Sequence, residues 1–151
     1  MNLKGLVHVN INCSDFDRSR AFYEMLGFEL FLEVPDSSTK QVAFAVGFSS
    51  YRLRGGLMRL RGGRHPLVVD LLEWCEPMDT APPYERLNHL GIARIALTSS
   101  DLEADVEELR ASGVEIIGEP ATVVWENRPS SRFVCFKDPD GSVLELVEDL
   151  A

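Results

Sequence analysis

The side chains best able to do chemistry in this 151-residue chain fall into a polar row, an isolated carboxylate and a run of arginines. His8, Asn10 and Asn12 alternate with Val7, Val9 and Ile11, so a strand here carries one polar and one apolar face. Such a row on a first strand suits a wet cleft, where an imidazole exchanges protons and amides orient a ligand. A plain solvent-facing sheet surface would carry it equally well. Glu145 stands between Leu144 and Leu146 and so points away from their apolar face. Arg52, Arg54, Arg59, Arg61 and Arg64 give residues 51–65 five positive charges and no acid. Gly55 and Gly56 separate the even-numbered arginines from the odd-numbered ones. A β-bulge there would bring Arg52, Arg54, Arg59 and Arg61 onto one face, with Leu53, Met58 and Leu60 opposite. That row could grip a carboxylate or phosphate bidentately; an exposed strand whose charges discourage edge pairing is the competing explanation.

Other features are less specific. Cys13, Cys75 and Cys135 are too few and too scattered for a disulfide framework or a zinc knuckle, and they suit a reducing compartment. Trp74, Trp125, Phe133 and Tyr84 could line an aromatic pocket, although aromatics at strand ends more often serve a core or an interface. Five acids among residues 101–108 fit a solvated helix face with acids near its N-terminus.

An internal repeat must position these groups. At an offset of 86, residues 7–12 align with residues 93–98, both alternating as strands do. Ser14 and Asp17, like Ser100 and Glu103, fit the capping box that opens a helix. Phe16, Phe22, Tyr23 and Leu26 then match Leu102, Val106 and Leu109, and both helices stop at a glycine, Gly27 or Gly113. Strands are expected from Phe28 to Val34 and from Val114 to Gly118. Residues 51–61 and 67–74 read as a hairpin around Gly62-Gly63, and residues 131–137 and 142–148 as one around Asp138-Pro139-Asp140-Gly141. The apolar run Val42–Phe48 could be strand or short helix. These elements predict an α+β protein of two paired β-α-β-β-β modules, residues 1–75 and 91–151. Residues 76–90, with Pro77, Pro82 and Pro83, form the linker.

Asp15-Phe16-Asp17-Arg18-Ser19-Arg20-Ala21-Phe22-Tyr23 running into Leu26-Gly27-Phe28, and Asp138-Pro139-Asp140-Gly141 running into Leu144-Glu145-Leu146, give the chain a family likeness. It resembles the vicinal oxygen chelate superfamily of glyoxalases, bleomycin resistance proteins and dioxygenases. The resemblance implies a curved mixed sheet around a small-molecule cleft and frequent homodimers. It also implies metal ligands on the first and last strands of each module, positions that fall on His8, Asp70, Arg94 and Glu145. Arg94 departs from that pattern, because a guanidinium has no lone pair for a metal and stays protonated. His8, Asp70 and Glu145 could still hold a divalent zinc, nickel, manganese or iron ion, with His65 and His89 as further histidines nearby. The fixed charge of Arg94 weighs against tight binding of any of them.

Two functions follow as expectations. One is a lyase or isomerase working through an enediolate, with Glu145 or Asp70 as base, Arg94 on the developing oxyanion, and His8, Asn10, Asn12 and the arginines on the substrate. The other is a protein that sequesters an antibiotic or metabolite without chemistry. A ring-cleaving dioxygenase is disfavoured, since Arg94 occupies a position its iron site needs. Fifteen basic against 24 acidic residues leave a net charge of −9, which argues against nucleic acid and anionic membranes as partners. No signal peptide or membrane-spanning run is visible, so a cytoplasmic location is expected.

Overall fold

Strands β1 (Val9–Asn12) and β5 (Ile95–Thr98) lie 86 residues apart, as do helices α1 (Phe16–Met25) and α3 (Leu102–Ala111). The computed structural model describes residues 1–62 and 66–150, so the expected turn at Gly63 and the side chains of Arg64 and His65 lie outside the described residues. The chain divides into two units, Met1–Ala81 and Pro82–Ala151.

Both helices begin one residue later than the capping-box reading expects. Asp15 accepts the Arg18 N–H and Asp101 accepts the Ala104 N–H, so aspartates rather than Ser14 and Ser100 are the N-caps. A carboxylate also complements the positive end of the helix, which favours it over the neighbouring hydroxyl. Both helices stop at the expected glycines, where the backbone turns left-handed at φ +93° for Gly27 and +73° for Gly113.

In the first unit the chain continues through β2 (Phe28–Glu33), helix α2 (Lys40–Ala45), β3 (Arg52–Leu60) and β4 (Val68–Glu76). The run left open between strand and helix is thus partly helical, capped by Thr39. The second unit holds β6 (Ala121–Val123), β7 (Ser131–Lys137) and β8 (Val143–Asp149). The two sheets have matching orders, β1-β4-β3-β2 and β5-β8-β7-β6, each with its first and last strands parallel and its other pairs antiparallel. The fold is α+β, built on two four-stranded mixed sheets. The strand expected at residues 114–118 makes only an isolated bridge from Ile116 to Phe136, and the regular strand begins after Pro120. A proline cannot donate to a ladder, which accounts for the break.

The expected bulge at Gly55-Gly56 does not form. Pairing with β4 runs without interruption from Leu53 opposite Trp74 to Arg59 opposite Val68. The register shifts lie instead between Arg52 and Leu53, and on β2 between Leu30 and Leu32. Arg54 and Arg59 therefore sit on opposite faces, and so do the buried Leu53 and Met58. The glycines serve close packing. A Cβ on Gly55 would stand 2.7 Å from Leu72 Cδ2 and nearer still to the Leu71 carbonyl oxygen, and one on Gly56 would collide with Leu30.

Helix α1 packs on β2, β3 and β4. The Phe16 N–H donates to Glu73 at 2.9 Å, and Arg54, directly across from Glu73, reaches Asp17 on the helix. The helix face is therefore the face of Glu73, Leu71, Val69 and Met58, where Tyr23 and Phe28 meet edge to face at 5.7 Å. Burying each such side chain is worth about 1.5–3 kcal/mol. In the second unit Leu102, Val106 and Leu109 of α3 are buried, as are Val134, Phe136, Leu144 and Leu146 of the sheet it packs on.

Candidate functional site

Strand alternation places Asn10, Asn12, Asp70, Leu72 and Trp74 on the face of the first sheet turned away from α1. Asn10 lies directly across from Asp70 and donates from Nδ2 to its Oδ2 at 2.8 Å. His8, just before β1, brings Nε2 to 3.9 Å from the same oxygen. The other oxygen, Asp70 Oδ1, is buried and has no hydrogen-bond partner among the described residues. Burial pushes the Asp70 carboxyl above the usual carboxylate range; His8 and the Asn10 hydrogen bond pull it part of the way back. A carboxyl group that holds its proton more strongly than usual, with one oxygen unsatisfied, is suited to exchange a proton with something placed against it.

Two residues along β1, Asn12 accepts a hydrogen bond from the Trp74 indole at 3.0 Å. Phe48 and Tyr51 flank the same indole, with ring centroids at 5.2 and 5.4 Å. Sequence reasoning placed Asn12 in the polar row and Trp74 among the aromatics but did not pair them. The two stand 62 residues apart, and only the parallel register of β1 on β4 makes them neighbours.

The second unit repeats the arrangement with different chemistry. Ala96 stands across from Glu145, as Asn10 stands across from Asp70, and Cys135 flanks Glu145 on the other side. Arg94, one residue before β5, donates from Nε to Glu145 Oε2 in a short charge-assisted contact. That hydrogen bond raises the guanidinium further above its already high value. The Cys135 thiol is also pushed up, first by burial and then by the Glu145 charge, while Arg94 pulls it down. A thiol held protonated in this way is a poor nucleophile.

The donor set does not fit the metal centre that the resemblance implies. Arg94 offers no lone pair, and its N–H already occupies a Glu145 oxygen that a metal would need. Among the described residues, no three His, Cys, Asp or Glu side chains converge as ligands. His89 instead stacks on Tyr84 with ring centroids 4.1 Å apart.

The arginines are spread over several partners. Arg54 is bound to Asp17 and Glu73 on the helix face, and these acids raise it further. Arg59 pairs with Glu29 at 2.7 Å, and Arg61 donates to the Gly27 carbonyl. Arg52 is exposed at the start of β3. Trp125 donates to Ser131 and lies under Arg128. Among the described residues no helix is long and apolar enough to cross a membrane.

Comparison with known proteins agrees with this architecture. The chain is 32% identical to the uncharacterized protein YwkD of Bacillus subtilis, covering 98% of this chain and 99% of that protein. A glyoxalase family protein from Bacillus cereus has a similar structure, with a TM-score of 0.82 at 23% identity over 100% of this chain and 97% of that one. TnmS3, an antibiotic binding protein from a Streptomyces species, has a TM-score of 0.66 at 24% identity, with 99% of each chain covered. These two solved structures bear on the fold alone. The family model matches residues 5–146, and the chain belongs to the glyoxalase/bleomycin resistance protein/dioxygenase superfamily.

Proposed function

We propose that the chain binds a small molecule on the face of the first sheet turned away from α1 and moves a proton on it as a lyase or isomerase without a bound metal. The observation that carries this reading is Asp70, a carboxyl group with a buried oxygen that has no partner among the described residues and a raised affinity for its proton. Asp70 takes a proton from carbon next to a substrate carbonyl and returns it, while His8 and Asn10 hold its second oxygen. The enolate oxygen needs donors, and Asn12, whose carbonyl is taken by the Trp74 indole, keeps its NH₂ on the same face. The protein works as a cytoplasmic homodimer in this reading, which sedimentation of the native chain would check.

Sequestration without chemistry is the second reading. The aromatic group of Phe48, Tyr51 and Trp74 beside the polar row favours it, and TnmS3 shows that an antibiotic binding protein can have a similar fold. Hydrogen–deuterium exchange at the substrate carbon, followed by NMR with methylglyoxal hemithioacetal in heavy water, separates the two. Catalysis predicts exchange that survives chelator and falls about a hundredfold in Asp70→Asn. Exchange lost to chelator, or indifferent to Asp70→Asn, would overturn the metal-free proton-transfer reading; ligand binding with no exchange would leave sequestration.

A further inference from the structure

We propose that the face of the first sheet turned away from α1 selects planar, donor-rich ligands that are cationic or neutral, such as amidines and protonated amino-heteroaromatics, and rejects carboxylates and phosphates. The inference rests on the placement of the binding face proposed above and specifies its ligand. It follows from how each polar group on that face is already committed.

Asn10 spends an amide N–H on Asp70 Oδ2, which leaves its carbonyl oxygen to accept from a ligand. Asn12 is held the other way round, because the Trp74 indole occupies its carbonyl and its NH₂ is left to donate. Asp70 Oδ1 is a second acceptor, buried and without a partner among the described residues. The face thus offers two acceptors beside the remaining amide N–H groups of Asn10 and Asn12, and one acceptor belongs to a carboxyl group whose burial an incoming cation or N–H would offset. The Trp74 ring adds a π-face that favours planar and cationic groups over anions.

Anion recognition would need a cation here with no acid beside it, and the β3 arginines do not supply one. Arg54 lies on the helix face with Asp17 and Glu73; Arg59, which shares the face of Asp70, is neutralised by Glu29, and Arg52 stands directly across from Glu76. The five arginines of residues 51–65 are conspicuous in the sequence, yet the groups exposed on this face read out the opposite charge preference.

Three nearly isosteric probes test this on the full chain: benzamidinium, benzamide and benzoate. They differ in charge and donor count while keeping one ring. Each is titrated while the indole N–H resonances of ¹⁵N-labelled protein are followed. The chain has two tryptophans, and Trp125→Phe assigns the signal of Trp74. The expected result is a shift of the Trp74 signal, with benzamidinium binding at least about tenfold tighter than benzoate and benzamide between them. Asp70→Asn should lower benzamidinium to the level of benzamide. Benzoate binding as tightly as benzamidinium would overturn the proposal, while still showing that the face binds small molecules. A Trp74 signal silent to all three at about 10 mM would also overturn it, since that range covers ordinary fragment affinities. So would unchanged benzamidinium binding in Asp70→Asn. The proton-transfer reading stands or falls separately, on the exchange experiment.

Discussion

The two modules set a carboxyl group at the same place in the same ladder and then treat it in opposite ways. Asp70 and Glu145 both lie on the last strand, opposite the second residue of the first strand. Asp70 keeps one buried oxygen without a partner among the described residues, while Glu145 is held by the guanidinium of Arg94. The backbone therefore decides where a carboxylate stands, and the residue just before the first strand decides whether it stays available. A second contrast lies on the neighbouring strand. Gly55 stands opposite Leu72 where Phe133 stands opposite Val147, so the first module gives up a side chain to admit those of Leu72 and Val34.

The largest expected effect tests that second contrast. Gly55→Ala should cost about 3 kcal/mol in urea denaturation, because the new methyl meets backbone as well as side chain. Phe133→Ala should cost about 1–2 kcal/mol for a half-buried ring. A neutral Gly55→Ala would show that close packing is not what sets the first module apart. Next comes the asymmetry of the ion pair in the second module. The Glu145 side chain is 11% exposed and that of Arg94 40%. Arg94→Met strands the less solvated partner and should cost about 1–2 kcal/mol, whereas Glu145→Gln leaves a guanidinium that can turn to water and should cost less than about 1 kcal/mol. Equal losses would mean that the pair is not held by the burial of Glu145.

The smallest effect belongs to Asp70 and shows itself through pH. Because burial raises its folded pKa above the unfolded value, its contribution to stability is complete in acid and is lost as pH rises through the folded pKa. Asp70→Asn removes that dependence. The variant should match the wild type in acid and gain on it towards neutral pH, by an amount that thermal melts across the range would read. A gap that widens towards acid would reverse the assignment.

Much of this was legible in the chain itself, because the repeat is written in local signals. Alternation at residues 7–12 and 93–98 and glycines at 27 and 113 place strands and helices at their observed offset. The turn of residues 138–141 closes as its composition demands, with Asp138 accepting N–H groups from Asp140 and Ser142. What stayed hidden depends on neighbours far along the chain. The meaning of Gly55 lies in Leu72 and Val34 crowding above it, and parity along β3 cannot report them. The orientation of Asn12 lies in an indole 62 residues away. The resemblance located Arg94 and Glu145, but only the folded unit shows that they satisfy each other.

The parallel pairing of first and last strands has a consequence for how the protein is made. Asn10 meets Asp70 across 60 residues, and Arg94 meets Glu145 across 51. In both units the pair forms only when the final strand arrives, after every intervening element has been synthesised. A nascent chain that ends before β4 holds the whole polar row of β1 without the acid that completes it. Completion of the polar row is thereby tied to the closing of a module, since Asn10 and Asp70 meet only when β4 pairs with β1.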